Sequence, residues 1–307
     1  MILEIYLKMN NSNLRQMHVI SGIPETTARN INKRNIDKWN IKYFDAVAKT
    51  VNKKRFTVIR ELEKLERDFK KQNSDLFLQG RYNLENRRYI GNKNKLLNWI
   101  SELIDEHTHG NSFFDVFAGT GVVTKRMLEK FDSFIVNDFL FSNNIIYKAF
   151  FGTEKINTNK LHELQKKYQK INTNIIDDDY FVDNFGGKFF SEHDARIIGE
   201  IRTLIENNTD ISERERTILI ASLIYSADKI ANTVGHYDAY RKKVDLQDRF
   251  LFELINPIDV SGKFIEIFRQ DSNKLVRQVK ADVAFIDPPY NSRQYSDAYH
   301  LIENVAK

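Results

Sequence analysis

The sequence contains no cysteine among its 307 residues. Disulfide frameworks, thiolate metal sites and cysteine nucleophiles are therefore excluded. Its seven histidines follow no HExxH motif or similar ligand spacing, so no metal site is predicted. No apolar run is long enough to cross a membrane, and the first residues, MILEIYLKMNNSNLRQ, lack the layout of a secretory signal. These absences predict a cytoplasmic protein that is not associated with a membrane. The content of hydrophobic residues, 41%, is enough to build a large core.

Positive charge is concentrated near the N-terminus. Residues 1–72 contain 16 lysines and arginines against 8 acidic residues, a charge of +8 in a chain whose total is +5, so the remainder carries −3. A basic region attached to a nearly neutral body is typical of contact with a polyanion. A solvated basic helical surface would have the same composition.

The pattern of residues 14–34, LRQMHVISGIPETTARNINKR, predicts a helix, a tight turn at Gly22 and a second helix beginning near Pro24. The positions expected to be buried are Met17, Ile20, Ile23, Ala28 and Ile31. The outward positions, whose short or forked side chains suit base edges and phosphates, are Glu25, Thr26, Thr27, Arg29 and Asn30. A further helix within residues 41–66 would close the core with Phe44, Val47 and Ala48.

This N-terminal segment resembles the phage repressor-like helix-turn-helix family over roughly its first 65 residues. The resemblance implies an all-α domain at residues 1–72 that binds double-stranded DNA. An ordinary helical hairpin without DNA contact is the alternative. Residues 73–86 are polar and irregular, and we interpret them as a linker.

Beyond the linker, strands alternate with helices, which predicts an α/β sheet. The segment NSFFDVFAGTG, residues 111–121, is an apolar strand that ends in a glycine turn, and a helix follows. A second strand, DSFIVNDFL, carries Asp138 about twenty residues after the glycines, where an acid can bind ribose hydroxyls. Glycine also occurs in such turns for packing alone. The glycine turn therefore indicates a ligand site only in combination with the acid.

A third feature is the late segment ADVAFIDPPYNSRQYSDAYH, in which a strand ends in an acid, two prolines and a tyrosine. The order FxGxG, acid, DPPY resembles that of the Dam-like (D12 class) adenine-specific DNA methyltransferases, including those of type II and IIS restriction-modification systems. The resemblance covers residues 87–307. It implies a Rossmann-like sheet, S-adenosylmethionine as cofactor, and three parts: a cofactor-binding part (87–139), a helical target-recognition insert (140–262) and a catalytic part (263–307).

The resemblance also implies roles for individual residues. Tyr89, Gly91 and Lys93 in RRYIGNKNKLL would lie near the methionine moiety, with the lysine paired to the cofactor's carboxylate. Asp115 would face the cofactor's ammonium and Asp138 the ribose. The remaining cofactor-binding positions would be Phe117, Gly119, Gly121 and Asp271, the last at the adenine ring. A surface loop acid is an equally open interpretation of Asp271.

Each residue of the DPPY element has a chemical role in methylating an adenine amino group. The amino group of adenine is a poor nucleophile because its lone pair is delocalised into the ring. Asp287 and a neighbouring carbonyl can accept its two N–H groups and favour a more nucleophilic nitrogen. Pro288 and Pro289 restrict the backbone, and Tyr290 offers a flat face on which an extruded base can stack.

The recognition insert is expected to contain a helix that starts near Ser191 and another that begins with the capping box Ser212 and Glu215. The loop ANTVGHYDAYRKK follows. The candidate DNA contacts in this loop are His236, Tyr237, Tyr240, Arg241 and Lys242, although a solvated loop has a similar composition.

The sequence therefore predicts a site-specific DNA adenine methyltransferase with an N-terminal DNA-binding domain. A cognate restriction endonuclease would be its partner in function. An RNA or protein amine methyltransferase, or a DNA-binding regulator with a nonfunctional methylase body, remains the alternative. Few residues follow DPPY, so we expect the sheet to stop near its fourth strand. A C-terminal remainder or a second chain would then complete it, or the edge of a short protein would pair with another chain.

Overall fold

The computed structural model of the chain describes residues 2–32, 36–74, 78–171, 180–289 and 298–307. The chain divides into two compact units, Met1–Asp75 and Leu76–Lys307. Each unit has its own hydrophobic core.

The described part of the smaller unit is helical. Its α-helices are α1 (Ile2–Met9), α2 (Leu14–Ser21), α3 (Glu25–Asn32), α4 (Ile41–Val51) and α5 (Arg55–Ser74). Gly22 ends α2 with φ of +76°, and its N–H donates to the carbonyl of His18, as expected of a glycine cap. The two helices and the glycine turn predicted within residues 14–34 are thus present in the described residues, while a DNA-binding helix-turn-helix domain stays a prediction.

Most of the predicted core of this unit is buried, but two positions differ. Met17, Ala28 and Ile31 are at most 3% exposed. Ile20 is 51% exposed, so its prediction as a core residue is wrong, and Ile23 is only partly buried. The core is completed instead by α1, whose leucines are fully buried and whose contribution the sequence pattern did not reveal.

The single helix predicted within residues 41–66 is two helices, α4 and α5. The break lies at Asn52, whose φ of +52° places it in the left-handed region that asparagine tolerates better than most residues. Phe44, Val47 and Ala48 on α4 are buried as predicted.

The larger unit is built around a parallel sheet, which confirms the predicted α/β fold class. Its strands are β1 (Ser112–Asp115), β2 (Ser133–Asn137), β3 (Phe264–Phe268) and β4 (Val283–Phe285), in the order β3-β2-β1-β4. Its α-helices are α6 (Leu97–His107), α7 (Val122–Met127), α8 (Phe141–Phe151), α9 (Thr158–Tyr168), α10 (Tyr180–Phe185), α11 (Glu192–Glu206), α12 (Glu213–Ile230), α13 (Ser272–Leu275) and α14 (His300–Ala306). The central strands are apolar because helices cover them, and Phe113 and Phe134 are fully buried.

The parallel arrangement sends the carboxyl ends of all four strands to one edge, where ligands bind in open α/β sheets. Within the described residues β4 lies at one edge of the sheet. The helix starts predicted in the insert are also present: Ser191 caps α11, and Ser212 and Glu215 form the capping box of α12.

The predicted linker at residues 73–86 is wrong over most of its described length. Residues 78–86 belong to the larger unit, in which Leu78 and Leu84 are 1% exposed. The N–H of Arg81 donates to the carbonyl of Leu254 at 2.7 Å, and Tyr82 forms a bridge with Ile255. Backbone pairing with a distant segment therefore orders a stretch whose own composition is polar. No helix within the described ranges has the length and apolarity needed to traverse a bilayer.

Candidate active site

The glycine turn between β1 and α7 adopts a conformation that its glycines permit. Gly119 and Gly121 have φ of +53° and +77°. A β-carbon at Gly119 would lie 3.0 Å from the ring of Tyr89, and one at Gly121 would lie 3.2 Å from the ring of Tyr147. Side chains at either position would therefore be strained by backbone conformation and by contact.

A cavity of about 430 Å³ opens beside this turn at the carboxyl edge of the sheet. The predicted residues that line it are Tyr89, Gly91, Lys93, Asp115, Phe117, Gly119, Asp138, Asp271, Asp287, Pro288 and Pro289. Gly121 is not among the lining residues, because it packs behind the turn, where it precedes the first residue of α7. Tyr290 lies outside the described residues. The predicted cofactor and catalytic positions therefore surround one space, with these two exceptions.

Asp115, at the end of β1, is the most deeply buried acid of this cavity, at 1% exposed. Its Oδ2 accepts a hydrogen bond from Thr124 Oγ1 at 2.6 Å, while its buried Oδ1 has no hydrogen-bond partner among the described residues. The pKa of Asp115 is raised to about 7, chiefly by burial. The negative charges of Asp138 and Asp287 contribute to the rise, and hydrogen bonds from Thr124 oppose it. An acceptor left without a donor in a buried cavity indicates a site for a ligand N–H or O–H.

Asp138 connects the end of β2 to the glycine turn. Its Oδ2 accepts the N–H of Gly119 at 2.9 Å, and its Oδ1 accepts the N–H of Leu140 at 2.9 Å. Burial raises the pKa of Asp138, and these backbone bonds act in the opposite direction. Besides lining the cavity, this acid holds the turn in place.

The ring of Tyr89 is held between two groups that the sequence analysis missed. Tyr299 stacks on it with ring centroids 4.8 Å apart and an interplanar angle of 14°, and the guanidinium of Arg87 lies 5.0 Å from its centroid. Arg87 also donates to the carbonyl of Gly119 at 3.2 Å, as does the hydroxyl of Tyr147 at 2.7 Å. The only sign in the sequence that Arg87 belongs to the site is its position two residues before Tyr89. Tyr147 and Tyr299 belong to no recognised motif.

Lys93 and Asp287 form an ion pair at the mouth of β4. Nζ of Lys93 lies 2.5 Å from Oδ2 of Asp287, and it also donates to the carbonyl of Gly91 at 3.1 Å. The contact between Lys93 and the proposed catalytic acid was not predicted.

Asp271 follows β3 and caps the short helix α13, where its Oδ1 accepts the N–H of Asn273 at 2.8 Å. The preceding residue, Gln270, is tied to β2 because its N–H donates to Asn137 Oδ1 at 3.0 Å. Phe139, which the sequence analysis also missed, lines the cavity with 68% of its surface exposed. An exposed aromatic beside a cavity can stack on a flat ligand.

The predicted DNA-contact loop is only partly accessible. Tyr237 is 1% exposed and its hydroxyl donates to Oδ1 of Asp228, so its prediction as a DNA contact is wrong. His236 and Tyr240 are partly buried, the latter against the ring of Phe189. The exposed candidates in this loop are Arg241 and Lys242. A buried carboxylate attracts the nearest hydroxyl, which explains why an aromatic residue in a polar loop turns inward.

The outward residues of the smaller unit lie on α3. Thr26, Arg29 and Asn30 are exposed, while Glu25 and Thr27 are partly buried. Arg29 lies 3.9 Å from Glu25 one turn earlier on the helix. Contact of this face with DNA stays a prediction.

Comparison with known proteins assigns the larger unit to a family. Residues 89–307 match the family model of the D12 class N6 adenine-specific DNA methyltransferases. The chain is 35% identical over 243 residues to the modification methylase StsI of Streptococcus sanguinis, a match that covers 72% of this chain and 36% of that protein. It is 33% identical over 242 residues to the modification methylase LlaI of Lactococcus lactis subsp. lactis, covering 72% and 38%.

A shorter relative is covered more fully. The type II methyltransferase M.NlaIII of Neisseria lactamica is 30% identical over 231 residues, with 71% of this chain and 68% of that protein covered. The matched part thus spans a little over one third of StsI and LlaI but about two thirds of M.NlaIII. The family match contains the glycine turn, the acids of the cavity and Asp287. The chain therefore belongs to the D12 class of N6 adenine-specific DNA methyltransferases.

Proposed function

We propose that this chain transfers the methyl group of S-adenosylmethionine to the exocyclic amino group of adenine in double-stranded DNA, as the modification activity of a restriction-modification system. The observation that carries the proposal is that Asp287, Pro288 and Pro289 line the same cavity as the glycine turn and Asp115. A group that activates an amine and a pocket for a methyl donor must share one space for transfer to occur.

The cavity has the size and charge that this cofactor requires. Its volume of about 430 Å³ is within the range of small-molecule sites. Four carboxylates line it, those of Asp115, Asp138, Asp271 and Asp287, against one lysine among the described lining residues. Such an excess of negative charge favours a ligand that carries sulfonium and ammonium groups. The buried Oδ1 of Asp115 is the acceptor best suited to the ammonium.

The remaining contacts to the cofactor follow from the lining. Tyr89, Gly91, Phe117 and Gly119 would hold the methionine moiety. Asp138 would bind the ribose, and Asp271 together with the exposed ring of Phe139 would contact the adenine ring. When bound, S-adenosylmethionine supplies an activated methyl group.

The reacting amine is prepared by the chain's own groups. A carboxylate oxygen of Asp287 accepts one N–H of the amine, and a backbone carbonyl of the adjacent proline pair accepts the other. Tyr290, outside the described residues, would stack on the extruded base. Pro288 and Pro289 carry no backbone N–H, so they offer no donor that would compete for the Asp287 carboxylate.

Double-stranded DNA would be held by exposed basic groups. In the larger unit these include Arg241 and Lys242, and in the smaller unit they include Arg29 on α3. We expect the site of action to be the cytoplasm and a restriction endonuclease of the same specificity to be the functional partner.

The deciding experiment incubates the full chain with duplex DNA and S-adenosylmethionine, then identifies the modified nucleoside by mass spectrometry. Asp287→Ala should abolish formation of N6-methyladenine and leave cofactor binding largely intact. Asp183→Ala, an exposed aspartate on α10, is the matched control. Tyr290→Ala should weaken stacking by about 1–3 kcal/mol.

Other products would contradict the proposal. Methylcytosine, or methylated RNA or protein alone, would identify a different substrate. DNA binding without any methyl transfer would identify a regulator with a nonfunctional methylase body. Long-read sequencing of DNA from cells that express the gene would give the recognition sequence of an active enzyme.

A further inference from the structure

The Lys93–Asp287 pair joins segments that are far apart in the sequence. The side chains are 14% and 17% exposed, so water screens the contact only slightly. The ammonium has a second acceptor, the carbonyl of Gly91 in its own loop, at 3.1 Å. Two acceptors limit the positions that this long, flexible side chain can adopt.

The loop that carries Lys93 is itself held in place by contacts with helices α12 and α14. The N–H of Arg88 donates to Oδ2 of Asp228 on α12 at 3.0 Å. The N–H of Ile90 donates to the hydroxyl of Tyr299, next to α14, at 2.7 Å. Asp228 is also the acceptor of the buried Tyr237 hydroxyl. Lys93 therefore reaches Asp287 from a supported backbone.

The Lys93–Asp287 pair offsets repulsion between the carboxylates of the cavity. Asp287 shares its cavity with Asp115, Asp138 and Asp271, and Lys93 is the one lysine or arginine among the described lining residues. Carboxylates repel each other strongly where water is excluded. Without Lys93, the Asp287 carboxylate would lose this ion pair while the repulsion from the neighbouring carboxylates remained.

We propose that Lys93 is a positioning residue for methyl transfer, which holds the Asp287 carboxylate in the orientation that accepts the N–H of the target amine. The inference rests on the proposed function of the site. It differs from the role implied by the family resemblance, in which Lys93 pairs with the cofactor's carboxylate. An ammonium moved to the cofactor would no longer hold the Asp287 carboxylate at the moment when Asp287 must act.

The first test compares Lys93→Met, Lys93→Arg and the control Lys95→Met, which removes an exposed lysine two residues away. At saturating cofactor and DNA, the single-turnover rate of Lys93→Met should fall about 100-fold, the loss expected from a misplaced catalytic group. Its dissociation constant for S-adenosylmethionine should change less than about threefold. Lys93→Arg should recover at least part of the rate, and Lys95→Met should match the wild type.

Two results would overturn the proposal. One is a cofactor dissociation constant at least about tenfold higher in Lys93→Met with an unchanged rate at saturation, which would assign Lys93 to the cofactor. The other is an unchanged rate with unchanged binding, which would leave the lysine without any role in transfer.

The second test needs no turnover. The melting temperature of the larger unit is measured in the cofactor-free full chain for Lys93→Met, Asp287→Asn and the double variant. Each single change breaks this ion pair, so the double variant should lose less than the sum of the two single losses. Additive losses would refute the pairing. If the wild type transfers no methyl group to DNA, the proposed function fails, whereas this comparison still decides whether Lys93 holds Asp287.

Discussion

The affinity of the cavity for S-adenosylmethionine should depend on pH through Asp115. Burial raises the pKa of this carboxyl to about 7 in the cofactor-free protein. Asp115 lines the cavity, and its buried Oδ1 has no hydrogen-bond partner among the described residues. A cofactor ammonium at that oxygen favours the ionised carboxylate, so binding must expel the proton that Asp115 carries at low pH.

The magnitude follows from the pKa. With a value of about 7, roughly nine tenths of Asp115 is protonated at about pH 6 and roughly one quarter at about pH 7.5. If only the ionised form binds well, the ionisation of Asp115 by itself should lower the dissociation constant about eightfold between these two pH values, and partial loss of the cofactor's ammonium proton at the higher pH should reduce the net change to about five- to sixfold. About 0.9 proton should be released per cofactor bound at about pH 6.

Isothermal titration calorimetry measures both quantities when each pH is studied in two buffers of different ionisation enthalpy. Both pH values lie below the pKa of about 7.7–8.0 of a free α-amino group, so most of the cofactor keeps its ammonium group at both. Asp115→Asn retains the size of the side chain and removes the titration. This variant should bind weakly, and its dissociation constant should change less than about twofold between the two pH values. A wild-type dissociation constant that does not change with pH, or the same change in Asp115→Asn, would refute the reasoning.

The stability of the cofactor-free protein should show the opposite trend. The pKa of Asp115 lies near 7 in the folded chain, above its ordinary 3.8, so the folded state binds this proton more tightly than the unfolded state does. The stabilisation is complete below about pH 4 and is lost as pH rises towards about 7, by at most about 4 kcal/mol. The free energy of unfolding, measured with denaturant at several pH values in this range, should fall more steeply with pH in the wild type than in Asp115→Asn. Parallel plots against pH would contradict the raised pKa of Asp115.

Three further predictions concern the glycine turn and the two proposed DNA-contact surfaces. Gly119→Asp should weaken cofactor binding severely in calorimetry, because a side chain and a negative charge enter the cavity; unchanged affinity in a folded variant would remove the turn from the site. Residues 1–72 expressed alone should bind duplex DNA with strong salt dependence in fluorescence anisotropy, and Arg29→Ala should weaken it. No binding at low salt would leave this unit a scaffold or protein-contact module. Tyr237→Phe should lower the unfolding free energy by about 1–3 kcal/mol without weakening DNA binding. Arg241→Ala should weaken DNA binding without lowering the unfolding free energy. A loss of DNA binding in Tyr237→Phe would contradict the interior role of Tyr237.

Much of the fold and of the site was predictable because its signals are local. An apolar run followed by glycines determines where β1 ends and how closely a ligand approaches the turn. The parallel order of the strands then brings Asp115, Asp138 and Asp287 to one edge, although they are separated by long stretches of chain. Helix starts at Ser191 and Ser212 depend on hydrogen bonds within one turn, so the sequence predicted them as well.

The incorrect predictions concern contacts between distant segments. The polar composition of residues 78–86 gave no sign that they pair with residues 254–256, and the polar loop that holds Tyr237 gave no sign that Asp228 draws its hydroxyl inward. The same limit applies to the stack of Tyr299 on Tyr89 and to the pairing of Lys93 with Asp287. The sequence by itself determined which acids and which lysine the cavity contains, because motifs fix residue types at strand ends. Only the tertiary structure decided which group each of them contacts, because a buried polar side chain takes whichever partner the packing of distant segments brings within reach.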